Sequence, residues 1–163
     1  MTKTLLVVWH SNTGGARAMA EAAATAAAEQ GVRVRLLHAG DAAPDLVLQA
    51  DGYIFATPET LAAIAGPMKD FFDRCYYPVL GRIEGRPYAA MVCAGSDGSS
   101  AARQIARIAT GWRLREAAQP LIVCTRAQTP EAILAPKTIA AEALARCAEL
   151  GATLAAGMEI GAF

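Results

Sequence analysis

The chain has 163 residues, 54% of them hydrophobic and 18% charged, which suits one domain spanning 1–163 with a layered core and excludes a disordered protein. Fifteen basic and fifteen acidic side chains cancel, so no charge excess points to nucleic acid, to an anionic membrane or to docking on basic partners. The four cysteines, at 75, 93, 124 and 147, form no CxxC and no zinc spacing, and are expected as buried free thiols in a reducing cytoplasm.

In chain order, "TLLVVW" (4–9) is a continuous apolar run that reads as a buried strand. The apolar run around it is too short for a signal peptide and lacks a cleavage site, and no segment approaches the roughly 20 apolar residues of a membrane span. The expectation is a soluble, cytoplasmic globule. Residues 16–30 are rich in alanine and predict a helix stopped by Gly31. A second strand follows at 32–38, then a short helix at 42–50. "GYIFAT" (52–57) predicts a third strand ended by Pro58. Met68, Phe71, Phe72 and Cys75 form a helical stripe in 66–77, with Pro67 in the first turn. A fourth strand is expected at 86–95 and a helix at 99–110, starting on serine caps and closed by Gly111. A fifth strand at 119–125 precedes a vague connection over 123–135, with a helical turn at "TPEAI", and a long helix at 135–156. Five strands alternating with five helices predict a mostly parallel sheet covered on both faces.

In such sheets a ligand lies outside the carboxyl ends of the strands, so the loops after strands are the places to examine. "HSNTGG" (10–15) leads into a helix, where free amides, glycines and the hydroxyls of Ser11 and Thr13 suit a phosphate. An ordinary N-cap and turn explain the same residues. The stretch is neither a Walker loop nor GxGxxG. "TPETLAAIAG" (57–66) reads as a long loop of small side chains that either borders a flat ring or merely connects. "CAGSDGSS" (93–100) offers backbone and hydroxyl donors for the polar edge of a heterocycle, or a turn and cap. Together the three loops describe how a mononucleotide is held.

The sequence resembles a family at these loops. "SNTGGARAMAE" looks like the phosphate loop of flavodoxin-like flavoproteins, with Ala16 where a Thr or Ser is usual. "TPETLAAIAGPMKDFFDR" is similar to the flavin loop and helix of the NAD(P)H-dependent FMN reductase and quinone reductase branch, matched at Gly66, Lys69, Phe72, Asp73 and Arg74. "GRPYAAMVCAGSDG" resembles the third loop of that branch. The resemblance implies a flavodoxin-like three-layer sandwich, with a five-stranded parallel sheet in the order 2-1-3-4-5. It implies that Ser11, Thr13, Gly14, Gly15 and Ala16 hold the FMN phosphate, with Asn12 and Arg17 nearby and Ala16 giving only its amide. Pro58, Glu59, Thr60, Leu61 and Ala62 would line the isoalloxazine, and Ala94, Gly95, Ser96 and Asp97 its pyrimidine side. Glu59 close to the ring would disfavour an anionic reduced flavin.

Other residues have blander expectations. Lys69, Asp73 and Arg74 are read as structural, Phe71 and Phe72 as core, and His38 as without a role. His10 either touches the ligand or ends its strand. Trp9 is read as strand core, Trp112 as another aromatic outside the loops, and Tyr76 and Tyr77 either as a packed helix end or as a cover for a neighbour's flavin in a homo-oligomer. The loops themselves carry no aromatic lid, which leaves a ring face open for a nicotinamide. The implied function is an FMN-binding oxidoreductase passing electrons from NAD(P)H to a small acceptor such as a quinone, with no catalytic side chain and no metal. The alternatives are a flavodoxin-type electron carrier and a non-enzymatic protein of the same fold. A phospho-receiver domain lacks support, because "WHSN" has no acidic residue.

Overall fold

The computed structural model describes residues 1–163. Its elements are β1 (Thr4–Trp9), α1 (Gly15–Ala28), β2 (Arg33–His38), α2 (Pro44–Gln49), β3 (Gly52–Thr60), β4 (Ala63–Ile64), α3 (Gly66–Val79), β5 (Pro87–Ala94), α4 (Ser99–Gly111), β6 (Arg115–Glu116), β7 (Leu121–Cys124), α5 (Pro130–Leu134) and α6 (Ala141–Glu159). The main strands run in the order β2-β1-β3-β5-β7, all parallel. Counting those five alone gives the expected 2-1-3-4-5.

Strand periodicity divides the core in two. Leu5, Val7, Ile54, Ala56, Ala89 and Met91 face α1 and α6, whereas Leu6, Val8, Tyr53, Phe55, Ala90 and Val92 face α2, α3 and α4. Strands buried on both faces are apolar along their length, which is why 4–9 reads as an unbroken run and β5, Pro87–Ala94, is buried at every position. Phe71, Phe72 and Trp112 pack around Phe55 on the second face, so Trp112 belongs to the core.

Three expectations need correction. β3 does not stop at Pro58 but continues to Thr60 and folds back on β4, with Glu59 opposite Ile64 and Thr60 opposite Ala63. The last register partners of β1 and β3 are Trp9 and Ala56, so Pro58 lies past the end of β1, where no neighbour needs its missing N–H. The expected loop is therefore a hairpin. Its tip residues Leu61 and Ala62 have φ of 52° and 62°, the left-handed pair of a two-residue turn, here without glycine.

The expected helix at 135–156 begins only at Ala141, and Pro136 lies in the segment before it. That segment is held instead by the amide of Lys137, which donates to the Thr13 carbonyl at 2.8 Å. The fifth strand, expected at 119–125, is β7, and the two-residue β6 before it is an extra strand on the same β5 edge. Helix α4 is not capped by serine: its N-cap is Gly98, with φ of 86°. The helical turn at "TPEAI" is α5, capped by the Thr129 hydroxyl, which accepts from the Ala132 amide.

Candidate functional site

The chain leaves β1 toward β2 on one side and returns to β3 on the other, so the topological switch lies between β1 and β3. The loops after β1, β3 and β5 converge there on a cleft of about 480 Å³, larger than the hollows of about 230 and 320 Å³ beside α4. Ser11, Asn12, Thr13, Gly15, Pro58, Glu59, Thr60, Leu61, Ala94 and Gly95 all line it. Gly14, Ala16, Ala62, Ser96 and Asp97 do not. Three of these five have structural places beside it. Gly14 has φ of 98°, a left-handed turn that favours glycine, and its amide donates to Ser11 Oγ at 2.9 Å. Ala16 is buried at the start of α1. Asp97 accepts from the Ser99 amide at 3.1 Å, and hydrogen bonding from Ser99 holds its carboxyl below the usual carboxylate range.

At the amino end of α1 the first-turn amides have no intrahelical acceptor and the helix dipole favours an anion there. Arg17 does not point into the cleft: its guanidinium lies 5.0 Å from the centre of the Trp9 ring and pairs with Glu21 at 2.8 Å.

Glu59 binds the second loop to the third. Its carboxylate accepts from the Gly98 amide and from the Ala101 amide, each at 3.0 Å. It therefore supplies the cap that α4 lacks locally, where a negative charge also meets the positive end of the helix dipole. Ser100 Oγ donates to the Ala62 carbonyl at 2.7 Å, and Gln104 Oε1 accepts from the Ile64 amide at 2.8 Å. Below the hairpin, buried Thr57 accepts from the Ala65 amide at 3.2 Å. The β3–β4 hairpin is thus held along α4 at three points and at its base.

A chain of side chains runs from β2 to the first two loops, and His38, expected to be bland, opens it as a structural contact. The Gly40 amide donates to His38 Nδ1 at 3.0 Å, so that nitrogen carries no proton. His38 Nε2–H then donates to His10 Nδ1 at 2.9 Å, and His10 Nε2–H donates to Asn12 Oδ1 at 3.0 Å. Each bond fixes the tautomer of the next ring. Asn12 Nδ2 finally reaches Thr60 Oγ1 at 3.5 Å. His10 does not line the cleft; it orients Asn12, which does.

The residues expected to be structural are so placed. Lys69 pairs with Asp73 at 2.7 Å and Arg74 with Asp70 at 2.6 Å, while Arg74 also donates to the Ala39 and Ala42 carbonyls. Trp9 is half-buried and meets His38 edge-on at 5.0 Å. Tyr76 and Tyr77 stack on each other at 5.3 Å, with Tyr77 exposed.

Six cleft residues escaped the sequence reading: Cys93, Thr125, Ala127, Ile133, Leu134 and Lys137. Cys93 sits under Gly15, where an added Cβ would lie 2.5 Å from Cys93 Sγ, and burial pushes its thiol pKa up. The other five come from the connection between β7 and α6. It folds back because the Thr125 amide donates to the Ala94 carbonyl and the Arg126 amide to the Gly95 carbonyl, each at 2.8 Å. No aromatic side chain lines the cleft.

Comparison with known proteins adds a family. The model of the NADPH-dependent FMN reductase family matches residues 42–123, half of the chain. A flavodoxin of Aquifex aeolicus is 34% identical over 95 residues, 58% of this chain and 51% of the relative, so the match spans about half the length of that protein. Among solved structures, a flavodoxin from the domain Archaea superposes with a TM-score of 0.78 at 19% identity, covering 96% of this chain and 99% of that one. A flavodoxin, WrbA-like protein from Agrobacterium tumefaciens superposes with a TM-score of 0.68 at 19% identity, covering 94% and 96%. The rubredoxin oxygen:oxidoreductase of Desulfovibrio gigas gives a TM-score of 0.77 at 15% identity, covering 98% of this chain but 37% of that one. At these identities the structures establish the flavodoxin-like fold.

Proposed function

The chain belongs to the NADPH-dependent FMN reductase family, and from that premise we propose that its cleft binds FMN and that the protein passes electrons from NAD(P)H to a small acceptor such as a quinone. The observation that carries the reading is the convergence of three strand-end loops on one cleft at the switch point. Its volume of about 480 Å³ lies within the roughly 300–1,000 Å³ of cofactor sites.

The residues present fit the group. The Ser11–Gly14 bond shapes the first loop in advance, and the amides of α1 and the hydroxyl-bearing Ser11 and Thr13 suit a dianionic phosphate. The β3–β4 hairpin on one side, with Pro58, Thr60 and Leu61, and Ala94 and Gly95 on the other, leave a slot bounded by backbone and small or aliphatic side chains. Bound there, FMN would supply the hydride- and electron-accepting ring. The chain's own part is to position that ring, through the pinned hairpin and the fold-back of 125–127, and to leave one side approachable. An electron carrier has no use for an approach by nicotinamide, and a cleft without an aromatic wall favours the enzyme reading.

The test is reconstitution. Purified protein should bind micromolar FMN with a visible flavin spectrum, and anaerobic NADPH or NADH should bleach it. Thr13→Asp, which sets a carboxylate against the phosphate, should weaken FMN binding by at least about tenfold, a loss of ~1.4 kcal/mol. Absence of FMN binding overturns the proposal. Binding without bleaching by either nicotinamide moves the protein to the electron carriers.

A further inference from the structure

We propose that Lys137 supplies the positive charge of the phosphate subsite and makes the cleft selective for phosphorylated over unphosphorylated flavin. The inference rests on the FMN reading above and adds to it a residue from a distant part of the chain.

One cation stands in the lining of the cleft beside that subsite. A dianionic phosphate at α1 would meet amides and hydroxyls, but Ala16 contributes no hydroxyl. Arg17, the nearest cation in sequence, is engaged with Trp9 and Glu21 and lies outside the cleft. Lys137 is the only lysine or arginine that lines the cleft, and Glu59 the only acidic residue. The Glu59 carboxylate is bonded to the amides of α4.

Lys137 is also tied to the phosphate loop at two points. Its amide donates to the Thr13 carbonyl at 2.8 Å, and its Cβ lies 3.6 Å from where a Cβ on Gly15 would stand. Its backbone is therefore fixed beside the residues that suit the phosphate. Lys137 is half-buried and lines the cleft, and its Nζ donates to the Ile133 carbonyl at 2.8 Å and the Ala135 carbonyl at 2.6 Å. An ammonium has three donors, so one N–H is left for a ligand. Those carbonyls close α5, whose Ile133 and Leu134 form part of the cleft wall. One ammonium thus holds the wall and presents charge to the subsite. A charge-assisted hydrogen bond to phosphate is about twice as strong as a neutral one. That outweighs the missing hydroxyl at Ala16.

The experiment compares FMN with riboflavin, which differs only in the phosphate. Affinities of full-length protein freed of flavin are measured by fluorescence quenching for wild type, Lys137→Met and Lys137→Arg. The methionine variant should lose about tenfold in FMN affinity, the scale of one charge-assisted bond, with riboflavin affinity unchanged within about twofold. The arginine variant should keep most FMN affinity. Added salt should weaken FMN binding by wild type more than by Lys137→Met. Unchanged FMN affinity in Lys137→Met overturns the inference. Equal loss for FMN and riboflavin also overturns it, by showing that the lysine only supports the wall. Wild-type protein that binds neither flavin overturns the FMN reading itself.

Discussion

Glu59 makes contacts that its place in the sequence does not announce. Its place after a strand predicts a cleft residue, and it lines the cleft. Its work is to satisfy the Gly98 and Ala101 amides of α4, a contact across the fold that no local spacing reveals. Ser99 and Ser100 look like caps because they open the helix, yet the N-cap is Gly98 and Ser100 Oγ donates to the hairpin at Ala62. Glu59→Gln replaces one accepting oxygen by a donor facing an amide. It should cost about 1–2 kcal/mol, the scale of a lost helix cap, read as a lower urea midpoint. Flavin affinity should fall with it, because hairpin and third loop would no longer be joined. Lys137 was illegible for the same reason: nothing in "APKTIA" signals that its backbone lies against Thr13.

At the scale of elements, helices with a clear stripe or alanine run were readable to within a few residues, and the strands nearly so. The misses lie where long-range bonds override local preference. The hairpin at 58–64 replaces a loop because Ile64 and Ala62 are pinned on α4, and 135–140 stays out of the helix because Lys137 is anchored to the phosphate loop. The pairing of α1 with α6 supplies a test in which local and tertiary preferences have opposite signs. Gly151, in the middle of α6, lies against the backbone of Ala23, and a Cβ there would run into the Ala23 carbonyl. Propensity favours Gly151→Ala by about 1 kcal/mol. Overpacking at a rigid backbone costs about 1–3 kcal/mol and should win. The variant is expected to melt several degrees lower, as calorimetry would show; a higher Tm would mean that α1 and α6 separate easily.

For the whole molecule, the parallel order and two-sided cover were legible because the central strands β1, β3 and β5 carry apolar runs and every crossover is helical, while the edge strand β2 alternates, with Arg33 and Arg35 exposed. The expectation of four buried free thiols holds for Cys75, Cys93 and Cys147, whereas Cys124 is half-buried. Burial pushes the Cys75 and Cys147 thiols up to about 11 from the ordinary 9.0, and moves Cys93 in the same direction. Native protein at pH 8 should therefore be alkylated by iodoacetamide at Cys124 alone, and at all four cysteines in denaturant, as mass spectrometry would record. The linkage has a definite sign. Below pH 9 these thiols are protonated in both states. Above it the unfolded chain loses its protons first, so stability should fall as pH rises from 9 to about 11. A urea midpoint that does not decline across that window would contradict the burial.

Each main strand pairs across a helical crossover, and the alanine-rich face of α1 is closed by α6, which lies far along the sequence. During synthesis at about 5–20 residues per second, that face emerges early and stays uncovered for the several seconds until α6 leaves the ribosome. The nascent chain is thus most exposed to chaperones, and to wrong partners, in the interval between its first and its last helix.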